Sequence, residues 1–91
     1  DLPAGRQARN GIMFYVYAIR SRTKNYIYVG LTNDPERRII EHNARKERTT
    51  RSYATFETIL VEEFGTRAEA RIRERYLKSG VGKEYLKSGL F

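Results

Sequence analysis

The chain has 91 residues, enough for one domain with a modest core, and it has no cysteine, which excludes a disulfide framework and a thiolate zinc site. Its single histidine, His42, cannot make a histidine-rich metal site, so any metal must rest on oxygen ligands. Eighteen Lys and Arg against eleven Asp and Glu give a net charge of +7 and a pI near 10.0, a balance that suits a polyanionic partner such as DNA or RNA as well as it suits a merely soluble basic protein.

Residues 1–12 show no helical or strand periodicity and mix Gly, Pro and Arg, so they read as a disordered tail or a leftover of expression, with the domain occupying 13–91. From Met13 to Ile19 every position is apolar or aromatic, which predicts a strand covered on both faces. The polar stretch from Ser21 to Lys24 predicts a turn, and Tyr26 to Leu31 a second strand. With the turn at 21–24, paired residue numbers sum to 45. Tyr17 then faces Tyr28, Ile19 faces Tyr26 and Tyr15 faces Gly30 on one side of the sheet, while the aliphatic residues take the other.

Asp34 is an N-cap candidate and Pro35 suits the first helical position, predicting a helix from Pro35 to about Lys46 with Arg38 and His42 on one face. Arg45 to Thr55 concentrates Arg45, Lys46, Arg48 and Arg51 around Tyr53 and reads as a basic loop. Phe56 to Phe64 is the third strand, and the capping box Thr66-Arg67-Ala68-Glu69 opens a helix to about Lys78, which Gly80 and Gly82 are expected to end. A short helix is expected around Lys83 to Lys87. The pentapeptide YLKSG occurs at 76–80 and again at 85–89, too few and too close for a solenoid repeat. The fold class is therefore α/β, a small three-stranded antiparallel sheet flanked by helices.

Laid out this way, Met13 to about Lys87 resembles the GIY-YIG nuclease family. Tyr15-Val16-Tyr17 stands for the first motif and Tyr28-Val29-Gly30 for the second. Thr32-Asn33-Asp34, Arg38, His42-Asn43 and the spacing from Glu69 to Glu74 follow. The run YVGLTNDPERRIIEHN looks closest to the compact, single-domain bacterial relatives of the excision-repair nuclease domain. The first motif lacks the family glycine and has Val16 between two tyrosines, and a C-terminal asparagine found in some members has no clear counterpart.

The resemblance implies a metal-dependent endonuclease acting on DNA. Tyr17, with Tyr28 in the same site, would activate a water; Arg38 would clamp the scissile phosphate; His42 would relay a proton or hold a phosphate oxygen. Glu74 would bind Mg²⁺ or Mn²⁺, and Arg37 with the basic loop would grip the nucleic-acid backbone. A phenol of ordinary pKa near 10 is a poor base at neutral pH unless positive charge, here from Arg38 and a metal, favours its phenolate. Each residue also has an ordinary reading: tyrosines pack in strands, helix arginines are solvated, a histidine near a helix C-terminus complements the dipole, and Glu74 among arginines is an ion-pair partner. The rival function is a non-catalytic module that stacks single-stranded DNA or RNA bases on an exposed row of tyrosines.

No apolar run reaches the roughly 18 residues of a bilayer-spanning segment, and no signal peptide is evident, so a cytoplasmic protein without a membrane partner is expected. Oligomeric state and any targeting partner are left open by the sequence.

Overall fold

A strand apolar at every position needs cover on both faces, and the first strand, central in the sheet, obtains it from helices packed on either side. The computed structural model describes residues 12–91, so the expectation of a tail lies, but for Ile12, outside the described residues. Strand β1 (Phe14–Ser21) is flanked by β2 (Ile27–Thr32) and β3 (Phe56–Phe64) in the order β2-β1-β3, with both pairings antiparallel. The helices are α1 (Pro35–Asn43), α2 (Arg67–Lys78) and α3 (Gly80–Ser88), and a 3₁₀ turn spans Arg51–Tyr53. No helix among the described residues is long and apolar enough to cross a membrane.

The hairpin register differs from the expected one. Tyr17 pairs with Gly30 and Ile19 with Tyr28, so paired numbers sum to 47. The cause is Ser21, which joins the strand instead of the turn. Its hydroxyl accepts from the backbone N–H of Thr23 (3.2 Å) and Lys24 (3.1 Å) and donates to the Tyr53 carbonyl (2.7 Å), and the turn moves one residue onward. Because that step shifts the pairing by two, side-chain parity survives and each residue keeps its expected face. Tyr17 and Tyr28 are thus diagonal neighbours, with ring centroids 6.2 Å apart.

The two faces carry separate cores. Val16, Ala18, Ile27, Val29 and Leu60 pack with Ala70 and Leu77 of α2 and Leu86 of α3. Tyr17, Ile19, Ala54 and Phe56 form the other cluster, with Ile39 of α1 and Tyr26, Tyr28 and Tyr53 around it. Each fully buried aliphatic side chain contributes about 1.5–3 kcal/mol of transfer free energy, so both layers matter in a chain this short. Phe56 and Leu60 are four residues apart and would share a face in a regular strand. The register against β1 slips between Ala18 and Ile19, where Leu60 and Thr58 are their partners, and the extra residue sends Phe56 to the tyrosine side.

Helix α1 starts as expected, with the Asp34 carboxylate accepting from Arg37 N–H, but it ends at Asn43. A Schellman arrangement closes it: Arg45 N–H donates to His42 C=O and Lys46 N–H to Glu41 C=O, with Arg45 left-handed at φ 63°. Asn43 Oδ1 then accepts from Phe56 N–H at 2.6 Å, tying the helix end to β3.

The expectation that Gly80 and Gly82 merely end a helix is corrected by the corner between α2 and α3. Ser79 is at once the C-cap of α2 and the N-cap of α3, and both glycines lie in the first turn of α3. Each copy of YLKSG ends a helix in the same way: Leu77 and Leu86 are buried, and Ser79 and Ser88 each donate to the carbonyl of the tyrosine three residues back, at 2.6 Å. At Gly82 an added Cβ would strike the Tyr76 carbonyl oxygen and Leu77 Cα, whereas at Gly80 it would meet nothing. Gly82→Ala should therefore lower the urea midpoint by the equivalent of about 1–3 kcal/mol, while Gly80→Ala should leave it unchanged or raise it slightly.

Candidate active site

The site is built from the tyrosine face of β1 upward. Tyr17 projects from the central strand towards Gly30, where an added Cβ would lie 2.5 Å from both Cζ and the hydroxyl oxygen of Tyr17. Only glycine leaves room for the ring, and the ring is thereby fixed across β2. α1 covers it. The Tyr17 hydroxyl lies 2.8 Å from Nε2 of His42, and Nδ1 of His42 lies 2.8 Å from Oγ1 of Thr50. Tyr17 is 1% exposed, and His42 and Thr50 are 0% exposed. The His42 ring sits 4.9 Å from the Tyr28 ring and meets Phe56 edge-on at 6.1 Å.

Burial pushes the His42 pKa below its ordinary value, and the nearby positive charge of Arg38 adds to the effect, so the imidazole is neutral at pH 7. A neutral imidazole has one donor and one acceptor nitrogen. A phenol is a better proton donor than an aliphatic hydroxyl, which assigns Nε2 as acceptor from Tyr17 O–H and Nδ1–H as donor to Thr50. Burial also pushes the Tyr17 phenol up to about 12; neighbouring Tyr28 adds to the rise, and Arg38 pulls against it. Arg38 thus acts in the expected direction, but desolvation outweighs it.

Arg38 is held by two carboxylates. Its Nη1 donates to Glu41 at 2.6 Å and its Nη2 lies 3.2 Å from Glu47. Burial opposes its charge, but Glu47 and Glu41 more than offset that and keep the guanidinium protonated. Arg37, one residue earlier, pairs with Glu41 at 2.9 Å and Asp34 at 3.6 Å. The structure therefore gathers Tyr17, Tyr28, Arg38 and His42 into one cluster.

Glu74 is held elsewhere. It lies on α2, against the opposite face of the sheet, with a side chain only 14% exposed and ion-pair partners Lys78 at 3.1 Å and Arg71 at 3.4 Å. Among the described residues, no three His, Cys, Asp or Glu side chains converge as a metal cluster. Arg45, Lys46, Arg48 and Arg51 are exposed on the segment between α1 and β3, where the Arg45 guanidinium donates to the Arg51 carbonyl at 3.2 Å.

The tyrosine row is not uniformly open to solvent: Tyr15, Tyr26 and Tyr28 are half-buried. Tyr17 is enclosed, and Tyr26 is stacked on Tyr53 with centroids 3.8 Å apart and planes 7° from parallel. Thr50 and Glu47 were invisible in the sequence as site residues because a Schellman turn, not a periodic pattern, returns them to α1. Glu41 was legible as an acid three residues beyond Arg38.

The two pKa shifts give opposite limbs of pH dependence. The unfolded histidine takes up a proton near pH 6.5 and the folded one only at lower pH, so stability falls as pH drops below 6.5 towards the folded value. The folded Tyr17 keeps its proton to about 12 while the unfolded phenol releases it near 10, so stability falls again as pH rises through that window, by about 2–3 kcal/mol at most. Urea unfolding across pH should show both limbs. His42→Gln should flatten the acid limb, and Tyr17→Phe should shrink the alkaline one.

The GIY-YIG catalytic domain family model matches residues 13–86. A UPF0213 protein of Haloquadratum walsbyi is 38% identical over 66 residues, covering 71% of this chain and 73% of that protein. No solved structure matches the chain. The match spans the whole sheet, α1 and α2, and with the three-stranded antiparallel fold it makes the chain a member of the GIY-YIG family, a nuclease domain.

Proposed function

We propose that the chain is a DNA endonuclease in which Tyr17 and His42 act together to take the proton from the attacking water, and Arg38 neutralises the phosphate. The observation that carries this reading is the buried chain of hydrogen bonds from Tyr17 through His42 to Thr50, each link 2.8 Å, beside the Arg38 guanidinium.

With a phenol near 12, a standing phenolate is present in roughly one molecule in 10⁵ at pH 7, too few to be the resting base. The hydrogen bond offers a different route. Tyr17 is enclosed in the free protein, so the route requires the bound strand to open access to its oxygen; as water then attacks phosphorus in line, its proton passes to the Tyr17 oxygen while the Tyr17 proton passes to Nε2 of His42. The imidazolium so formed keeps its Nδ1–H on Thr50. Positive charge appears on His42 as negative charge builds on the phosphate, so the two compensate across a short distance. Arg38, already oriented by Glu41 and Glu47, donates to a non-bridging phosphate oxygen. Tyr28 packs its ring on His42 and holds the imidazole in line with Tyr17.

Family membership implies a divalent metal, and Glu74 is the residue that would hold Mg²⁺ or Mn²⁺. A single carboxylate suits a hard cation that keeps most of its ligands as water and phosphate oxygens. The present partners of Glu74, Arg71 and Lys78, are half exposed and able to give way. Such a cation would supply positive charge to a phosphate brought against α2, apart from the Tyr17 cluster. Basic residues at 45–51 contact backbone phosphates without reading bases, which makes affinity salt-sensitive and nearly independent of sequence.

Nicking of supercoiled plasmid with Mg²⁺ or Mn²⁺ tests the proposal, with an RNA hairpin as a second substrate. Tyr17→Phe, His42→Gln and Glu74→Ala should each lower kcat by about 10²–10³-fold at near-unchanged DNA affinity, and Arg38→Ala should lower kcat as much while also weakening binding. Full activity in Tyr17→Phe would refute the tyrosine-histidine relay, and full activity in Glu74→Ala would refute Glu74 as the metal ligand.

A further inference from the structure

At the end of the sheet, where β2 runs out into α1, a cleft of about 420 Å³ opens beside the cluster just described. That volume is in the range of nucleotide-sized ligands. Arg37 and Arg38 reach it from α1 and Arg67 from α2, with Thr32 and Asn33 between them, and among the described residues no Asp or Glu lines it.

Arg67 is the unexpected member. It occupies the first position of α2, where a cation is opposed by the helix dipole. The carboxylate of that turn, Glu69, is engaged with the capping Thr66 hydroxyl at 3.2 Å. Arg37 and Arg38 have carboxylate partners, whereas Arg67 has no ion-pair partner among the described residues. Three like charges at one cleft, one of them uncompensated and badly placed for its own helix, cost the empty protein free energy that an anion would return.

We propose that Arg67 is a substrate-binding residue that holds the nucleic-acid strand by the phosphate next to the one being cut. This rests on the reading of Arg38 as the clamp on the scissile phosphate. The strand lies across the end of β2, with the scissile phosphate at Arg38 and its neighbour at Arg67. The Asn33 amide and Thr32 hydroxyl supply further hydrogen-bonding groups along the way. Arg67 therefore adds a second hold on the strand beside the scissile phosphate, a task that exposed arginines on the 45–51 segment cannot perform from the other end of α1.

The test is binding of a fluorescein-labelled DNA duplex, followed by anisotropy in Ca²⁺ over a series of salt concentrations. Arg67→Ala should weaken binding roughly tenfold at about 0.1 M salt and reduce the slope of log K against log salt by about 0.9, the loss of one phosphate contact. Arg67→Lys should restore most of both. Arg75→Ala removes the same charge from the same helix without touching the cleft, and should change the slope by much less. In Mg²⁺, Arg67→Ala should raise KM with kcat within about twofold. Equal effects of Arg67→Ala and Arg75→Ala, or an unchanged slope in Arg67→Ala, would overturn the proposal. Wild-type protein that binds but cuts nothing would overturn the cleavage reading alone, since the binding comparison needs no cleavage.

Discussion

Tyr17, His42 and Thr50 are polar side chains shut away from water, and each is tolerable there only because the next one satisfies it. Taking away any partner leaves a buried donor or acceptor unmet, at a cost of about 1–3 kcal/mol. Much of the fold can be understood as the means of closing that chain. Gly30 leaves the gap into which the Tyr17 ring lies, α1 carries His42 down onto it, and the turn at Arg45 brings Thr50 back to the far side of the imidazole. No buried side-chain polar atom is left without a partner among the described residues.

The electrostatics follow from the same enclosure. Burial, not charge, dominates at both Tyr17 and His42, and it moves them in opposite directions, the phenol upward and the imidazole downward. A donor made reluctant and an acceptor kept neutral form a pair in which the proton stays on oxygen until something draws it away. Arg38, fixed between Glu41 and Glu47, is already oriented and needs no rearrangement beyond exchanging a carboxylate for a phosphate.

Much of this architecture was legible in the sequence because it depends on local rules. The N-cap at Asp34, the capping box at Thr66 and the apolar run of β1 each placed an element within a few residues of its observed position. The division of the sheet into a tyrosine side and an aliphatic side also survives, since the displaced turn changes the pairing by an even number. What was not legible depends on tertiary partners. Ser21 belongs to β1 because the Tyr53 carbonyl is waiting for its hydroxyl, 32 residues away in sequence. The slip in β3 that turns Phe56 towards His42 leaves no mark in FETILVEEF, where alternation is obscured by apolar residues on both parities. The gathering of Tyr17, Tyr28, Arg38 and His42 was anticipated through family resemblance, while Thr50 carried no signal, since a threonine in a basic loop has many unremarkable uses.

Ser79, shared as the last cap of one helix and the first of the next, is the single residue between α2 and α3. Its hydroxyl donates to the Tyr76 carbonyl at 2.6 Å and accepts from Gly82 N–H at 3.1 Å, which ties the corner to both helices. The two helices are further clamped by the close seat of Gly82 on Leu77 and by the Arg73 guanidinium, which lies over the rings of both Tyr76 and Tyr85. A strand drawn in from the α1 side would meet here two helices already fastened to each other by close packing and hydrogen bonds.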